Sequence, residues 1–353
     1  TCALPIWRLF VGGIGIDSTT DPTQYEFSFS LPVVREMAGS EGGGGGGDKA
    51  VAIESTVAES ITEAARNMAL RLSRDMFFEH LRIIVIGEDV ARQGLKQVIN
   101  PFIWQIYFNR RSRIAIAEGS AKEIMETDTW VEKLRAEYLQ SIYANVEFNG
   151  KFIDGDFGDF IDQIYAFRGN ALLSKIAPRK EGVYIGGAAV IKDYKLVGWL
   201  SEEETQGVNF VLGEIRGGSI VVNDPYSKDR ATFSILRANR KVYLLSTEPN
   251  FHFNVKIQVE GDVTEITEER KIGSEEIELI QNLVAENIKE QINKGVYKLQ
   301  KDYKVDLLRL NDYLYKYHPK IWDKYKDQWE LLFEDAQISV DVHVQLQDFG
   351  VTE

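Results

Sequence analysis

Four stretches of this chain hold residues whose types and spacing could do chemistry. The first is GSEGGGGGGD at 39–48, whose GGGGGGDK end puts a glycine at each end of a six-residue span, as a phosphate-cradling loop does. Such a loop needs a lysine where Asp48 stands, a Ser or Thr after it and a helix to follow, yet strand-forming residues come next. The tract therefore reads as a flexible insertion in a hairpin. The second is GGIGID at 12–17, where Gly13 and Gly15 fit the first two glycines of a dinucleotide fingerprint. Ser18 takes the third position and no helical pattern follows, so the glycines predict a strand that another backbone approaches closely. The third is DGDFGDFID at 154–162. Counted from Asp154, an EF-hand loop would meet Gly158 at its fifth position, Asp159 at its sixth and Tyr165 at its twelfth, so the ligand pattern fails and a solvated acidic linker is expected. The fourth is the closing QISVDVHVQLQ, in which Asp341 and His343 share one face of a strand. That spacing could ligate a metal or pass a proton; a solvent-facing pair is the expected role.

The other chemistry-bearing residues are scattered. His80, His252, His318 and His343 form no local metal pair. There is no Gly-x-Ser-x-Gly elbow, and the single cysteine, Cys2, has no nucleophile context. The expectation is no catalytic residue, no metal ligand and no cofactor. One cysteine excludes an internal disulfide and a cysteine-based zinc site. A formal net charge of −13 argues against a nucleic-acid partner and against electrostatic attachment to an anionic bilayer. No apolar window is long enough to cross a membrane as a helix, and the opening residues lack the pattern of a signal peptide. With 44% hydrophobic and 27% charged residues over 353 positions, the chain is expected to be a soluble body of about two domains.

The elements that must position these residues follow from periodicity. Arg8–Ile16 reads as a buried strand, and Tyr25, Phe27, Phe29 and Leu31 recur at the period of a half-buried one. After a returning strand from Lys49 to Ile53, Ser55 or Thr56 is expected to cap a helix carrying Ile61, Ala64, Ala65, Met68 and Leu72 on one face. LRIIVI at 81–86 is a continuous apolar strand closed by Gly87. Helical segments near 89–108, a strand at 113–117, a short helix capped by Ser120 and a longer one over 129–144 follow. A boundary is expected between 170 and 182. Beyond it, Lys192–Lys195 turns a hairpin and Ser201 caps a helix with Glu202, Glu203 and Glu204 in its first turn. Strands are expected near 218–222, 231–246 and 251–260, then a long amphipathic helix over 274–304, a second helical stretch over 306–333 and a final strand. The tyrosines and tryptophans of 313–329 read mostly as core. The class is α+β: a multi-domain chain of mixed sheets with helices, with the long amphipathic helix near the C-terminus.

Taken together, GIGID at 13–17, MFFEHLRIIVIGEDVARQGL at 76–95, GAAVIKDYKLVGWLSEEETQG at 187–207 and YLYKYHPKIWDKYKDQW at 313–329 resemble the Ger(x)C family. These are the C subunits of nutrient germinant receptors in endospore-forming bacteria. The resemblance runs from about residue 8 onward and is most specific at Phe77–Glu88 and Lys195–Leu200. It implies a non-catalytic lipoprotein, held by a diacylated N-terminal cysteine on the extracytoplasmic face of the spore inner membrane. It also implies integral-membrane A and B subunits as partners in sensing nutrients for spore germination. The family has a signal peptide and then Cys-Trp-Asp ahead of the first strand, whereas Ala3 and Leu4 follow Cys2, so lipidation is not carried over to Cys2. Thr-Cys-Ala-Leu-Pro-Ile back-translates to the end of a common DNA-sequencing adapter, and Trp7 supplies the T that comes next. The expected division is then translated adapter at 1–6, an N-terminal domain at 7–175 with 39–48 as a flexible loop, and a C-terminal domain at 183–353. The family fold, described as three domains, leaves room to subdivide the latter. The competing readings are a soluble nutrient-binding module and an α+β enzyme.

Overall fold

The computed structural model describes residues 8–32, 51–72, 74–104, 108–127, 135–145, 149–180, 182–223, 230–266 and 273–349. Cys2 and the rest of residues 1–6, and the glycine tract at 39–48, lie outside the described residues. The chain forms two units, Thr1–Ala144 with Asp154–Gly198, and Asn145–Ile153 with Trp199–Glu353.

The first unit is built on an eight-stranded sheet. Its middle is parallel: β2 (Gly13–Ser18), β6 (Ile83–Ile86), β7 (Arg113–Ala117) and β8 (Ala171–Arg179) lie side by side. All four residues of β6 are buried, as expected for a central parallel strand covered on both faces. Beyond β2 the sheet continues antiparallel through β3 (Tyr25–Pro32) and β4 (Val51–Ala58). Beyond β8 it continues through β9 (Gly182–Lys192) and β10 (Lys195–Leu200). Two short strands, β1 (Arg8–Phe10) and β5 (Asp75–Phe77), pair in parallel apart from it. The run expected at Arg8–Ile16 is thus two strands.

Three local readings change here. β3 is not half-buried: Ser28 and Ser30 on its polar face are as buried as Phe27 and Phe29, with Ser28 Oγ 2.9 Å from Ser55 Oγ on β4. β4 also runs through the expected caps Ser55 and Thr56, because VAIESTVA pairs with β3 along its whole length. The helix α1 (Ile61–Ala69) starts after Ser60, whose side chain accepts from Glu63 N. The acid-rich stretch at 154–162 is not a linker. It opens α6 (Phe157–Ala166), in which Asp156 and Asp159 form a reciprocal capping box while Phe157, Phe160, Ile161 and Ile164 are buried. Asp154 is ion-paired with Arg113. Between these come α2 (Glu88–Gln93), α3 (Leu95–Trp104), α4 (Ala121–Glu126) and α5 (Arg135–Ala144). The lead-in of α5, expected from 129, lies outside the described residues.

The expected division at 175 and 183 falls inside this sheet. β8 pairs with β7 and β9 with β8, so the chain remains in the first unit through Gly198. The β9–β10 turn is the expected hairpin, with Asp193 and Tyr194 both left-handed at φ 50° and 65°. Residues 145–153 group with the second unit, where Asn209 Nδ2 donates to the carbonyls of Gly150 and Phe152, both at 2.9 Å.

The second unit carries α7 (Glu202–Leu212), capped by Ser201 in a box with Glu204 as expected. A four-stranded sheet follows in the order β11 (Gly218–Asn223), β12 (Arg230–Ser246), β13 (His252–Ile266), β14 (Gln337–Phe349). The first three are antiparallel, and β14 is parallel to β13. α8 (Ser274–Tyr297) lays Val284, Ile288, Ile292 and Val296 into the core, then widens at its exit into a π turn at Lys298–Asp302. The turn aims Gln300 inward, where its Nε2 donates to the carbonyls of Phe333 and Ala336. The helical stretch expected at 306–333 is three short helices, α9 (Leu310–Tyr317), α10 (Pro319–Tyr325) and α11 (Trp329–Asp335). Pro319 cannot continue α9, so the chain restarts there with proline in the first turn. Trp329, Tyr313, Tyr325 and Phe333 join Phe251 and Phe253 in one aromatic core, whereas Tyr315 and Tyr317 face solvent. Both units mix helices with sheets, and the α+β class stands.

α7 and α8 cross at backbone distance through two glycines. A Cβ on Gly207 would lie 2.1 Å from Gln291 O, and one on Gly295 would lie 2.5 Å from Glu204 O. Gly207→Ala is therefore expected to destabilise the chain by about 1–3 kcal/mol, the usual cost of overpacking. Gly155→Ala, which meets nothing nearer than 3.8 Å, should be close to neutral. Thermal unfolding of the two variants checks this.

Candidate functional site

The residues that carry the family resemblance in the first unit converge at the carboxyl ends of β2 and β6. Gly13 and Gly15 present bare backbone to α4: Cβ atoms there would lie 2.8 Å and 3.1 Å from the Met125 side chain. Near the end of β2 stands Asp17, whose carboxylate accepts from Ala121 N and Lys122 N, both at 2.7 Å, and from Ser120 Oγ at 3.2 Å. Ser120, the expected cap of α4, accepts from Lys122 N and Glu123 N in turn. Gly87, at the end of β6, leaves room for this carboxylate; a Cβ there would lie 2.3 Å from Asp17 Oδ1. The next residue, Glu88, takes Gly119 N through Oε2 and Arg92 through Oε1. Lys122 closes the cluster with an ion pair to Glu26 at 2.6 Å. Burial lifts the Asp17 carboxyl above its ordinary value, partly offset by the two amide donors.

The aromatic half of the same motif also packs. Phe77 and His80 meet Phe10, the Arg8 guanidinium lies 4.4 Å from the Phe77 ring centre, and Phe78 bridges Phe29 and Phe108. What this junction does chemically is hold a helix onto a strand, since the Asp17 carboxylate is spent on backbone amides.

The second unit repeats the device deeper in its core. Asp306, buried ahead of α9, accepts from Leu308 N, Leu310 N and Asn311 N and from Trp329 Nε1. Desolvation raises its carboxyl above the ordinary range against the pull of those donors. Taking a helix to start at 306 hides this residue. An Asp four positions ahead of LNDYLYKY is the signal that could have found it.

The remaining candidates stay dispersed. His252 meets Ser339 Oγ and His318 lies near Tyr313 Oη. Asp341 accepts from Asn254 Nδ2 at 3.1 Å, while His343 pairs across the sheet with Gln258. Among the described residues no group of His, Cys, Asp and Glu could hold a metal ion, and no helix is long and apolar enough to cross a membrane. A wide groove of about 980 Å³ runs between α8, β11 and the π turn. Its lysines are matched within the unit: Lys298 to Glu204, Lys294 to Glu203 and Glu290, and Lys289 to Glu286.

Two predictions follow from the buried carboxylates. Asp17→Ala and Gly87→Ala should each cost about 1–3 kcal/mol, the first by orphaning amides and the second by displacing the same carboxylate. In a double-mutant cycle the costs should add to less than their sum. For Asp306 the folded carboxyl holds its proton more tightly than the unfolded one. Its contribution is therefore full below about pH 4 and declines as pH rises toward the folded value. Denaturant titrations should show the stability gap between wild type and Asp306→Asn narrowing over that rise.

Comparison with known proteins bears on the chain as a whole. The family model "Spore germination protein N-terminal domain" matches residues 8–178, and "Spore germination B3/GerAC like, C-terminal" matches 186–350. The chain is 27% identical to spore germination protein B3 of Bacillus subtilis (strain 168), over 97% of this chain and 91% of that protein. It is 23% identical to spore germination protein KC of the same organism, over 91% and 84%. Among solved structures, the crystal structure of the GerBC protein matches with a TM-score of 0.65 and 21% identity, over 95% of this chain and 96% of that one. With both halves matched in order and nearly the whole length aligned, the chain belongs to the Ger(x)C family of spore germination proteins.

Proposed function

We propose that this chain is the C subunit of a nutrient germinant receptor, a non-catalytic lipoprotein working beside membrane-embedded A and B subunits in spore germination. The observation that carries this reading is the near full-length match to spore germination protein B3 across both family domains. The use of the buried carboxylates supports a non-catalytic role: Asp17 and Asp306 are committed to backbone donors.

In this reading the protein stands on the extracytoplasmic face of the spore inner membrane, held by lipid on a cysteine upstream of the first strand. Cys2 is not assigned that role. The net charge of −13 makes a tether necessary, since an acidic body is repelled by an anionic leaflet. Two acyl chains give stable attachment where one gives only marginal binding. The tether raises the local concentration of the body beside its partners.

The test is genetic. In a spore former with no redundant receptor, deletion of the gene should abolish germination by the cognate nutrient. The gene carrying a lipidated leader should restore it, and the same gene with the leader cysteine changed to Ala should restore it poorly. Normal nutrient germination in the deletion strain would overturn the reading. Calorimetry of the purified chain against amino acids and sugars should give no saturable heat. A heat that Lys294→Ala removes would instead make the groove a nutrient site and the chain a binding module.

A further inference from the structure

We propose that two copies of this chain pair antiparallel along β14, about a two-fold axis through Val342, to form one continuous sheet. β14 ends the four-stranded sheet, and β13 is its only strand neighbour among the described residues. Natural edges are usually blunted by proline, lysine, bulges or shortness. From Gln337 to Leu346 this strand has neither proline nor lysine, and it keeps regular register with His252–Gly261.

The direction of its free groups follows from one bond. Gln337 N donates to Phe251 O at 2.7 Å, so Gln337 and every second residue after it turn their backbone groups toward β13. Ile338, Val340, Val342, Val344 and Leu346 therefore turn their N–H and C=O groups outward. These are the apolar residues of the strand, with Val340 and Val344 buried on the core face.

The sequence of this edge is complementary to itself. QISVDVHVQLQ has nearly the same polarity read from either end, with Val342 at its centre. In antiparallel pairing about that centre, Val342 meets Val342, Val340 meets Val344, and Ile338 meets Leu346. Each outward backbone group then finds a partner, and apolar side chains stay on one face. The odd residues fall at the non-bonded positions, where opposed side chains approach most closely. There Asp341 stands opposite the partner's His343, twice by symmetry. Asp341 Oδ2 takes Asn254, while its Oδ1 has no hydrogen-bond partner among the described residues. The neighbouring charges on this face are Lys256, beside Asp341 on β13, and Lys241 beyond it on β12. Such an interface is isologous, so it closes at two copies and does not propagate.

Sedimentation equilibrium of the full chain tests this. Wild type should show a concentration-dependent dimer. His343→Asp sets carboxylate against carboxylate at both opposed pairs and should weaken dimerisation about tenfold or more. The exchange Asp341→His with His343→Asp should restore it, an outcome that a general loss of folding would not produce. Val342→Pro removes an N–H that serves no internal bond and should give a monomer with a near wild-type melt. A wild-type chain that stays monomeric into the millimolar range would overturn the proposal, leaving the edge to a strand of another protein. A dimer that survives Val342→Pro would overturn it as well.

Discussion

A carboxylate bound to backbone amides is the interaction on which each half of this chain depends. Asp17 in the first unit and Asp306 in the second are both removed from water, a costly placement for a charge unless donors replace the lost solvent. Both find those donors at the start of a helix, where amides have no intrahelical partner. Each liability offsets part of the other, and a helix is fixed to the body that supplies the acid. In the first unit the arrangement also demands glycine at 13, 15 and 87, because strand, helix and carboxylate share a space that side chains would fill.

Much of the fold was legible because local chemistry and tertiary packing agree. LRIIVI is apolar on both faces and becomes a central parallel strand; Ser120 and Ser201 stand before helices and cap them. The misreadings share a cause, which is that composition stood in for geometry. VAIESTVA contains two good capping residues, yet pairing with β3 outweighs them and the helix waits for Ser60. DGDFGDFID looks like a solvated linker by its acids. Its apolar residues at 157, 160, 161 and 164 are the buried stripe of a helix, and two of its acids are that helix's cap. The boundary expected near 170–182 coincides with the junction of the two family domains, between residues 178 and 186, while sheet pairing, which joins residues distant in sequence, carries the compact first unit on to Gly198.

The glycines of the candidate site were legible as a place of close approach, but the role of Asp17 was not. GIGID and the Phe77–Glu88 segment stand out as the most distinctive stretches, and distinctive glycines beside an acid invite a ligand-binding interpretation. Together they form a joint. Their constraint is steric and electrostatic, and it acts on α4.

The π turn after α8 has an evolutionary consequence. A π turn is an α-helix that has absorbed one additional residue, and here the surplus lies within Lys298–Asp302. Removing one residue would restore the regular ladder but would rotate everything beyond it by about 100° around the helix axis. Gln300 would swing away from the two carbonyls it serves, at Phe333 and Ala336. Chain length between α8 and α9 is therefore constrained by the need to seat one amide.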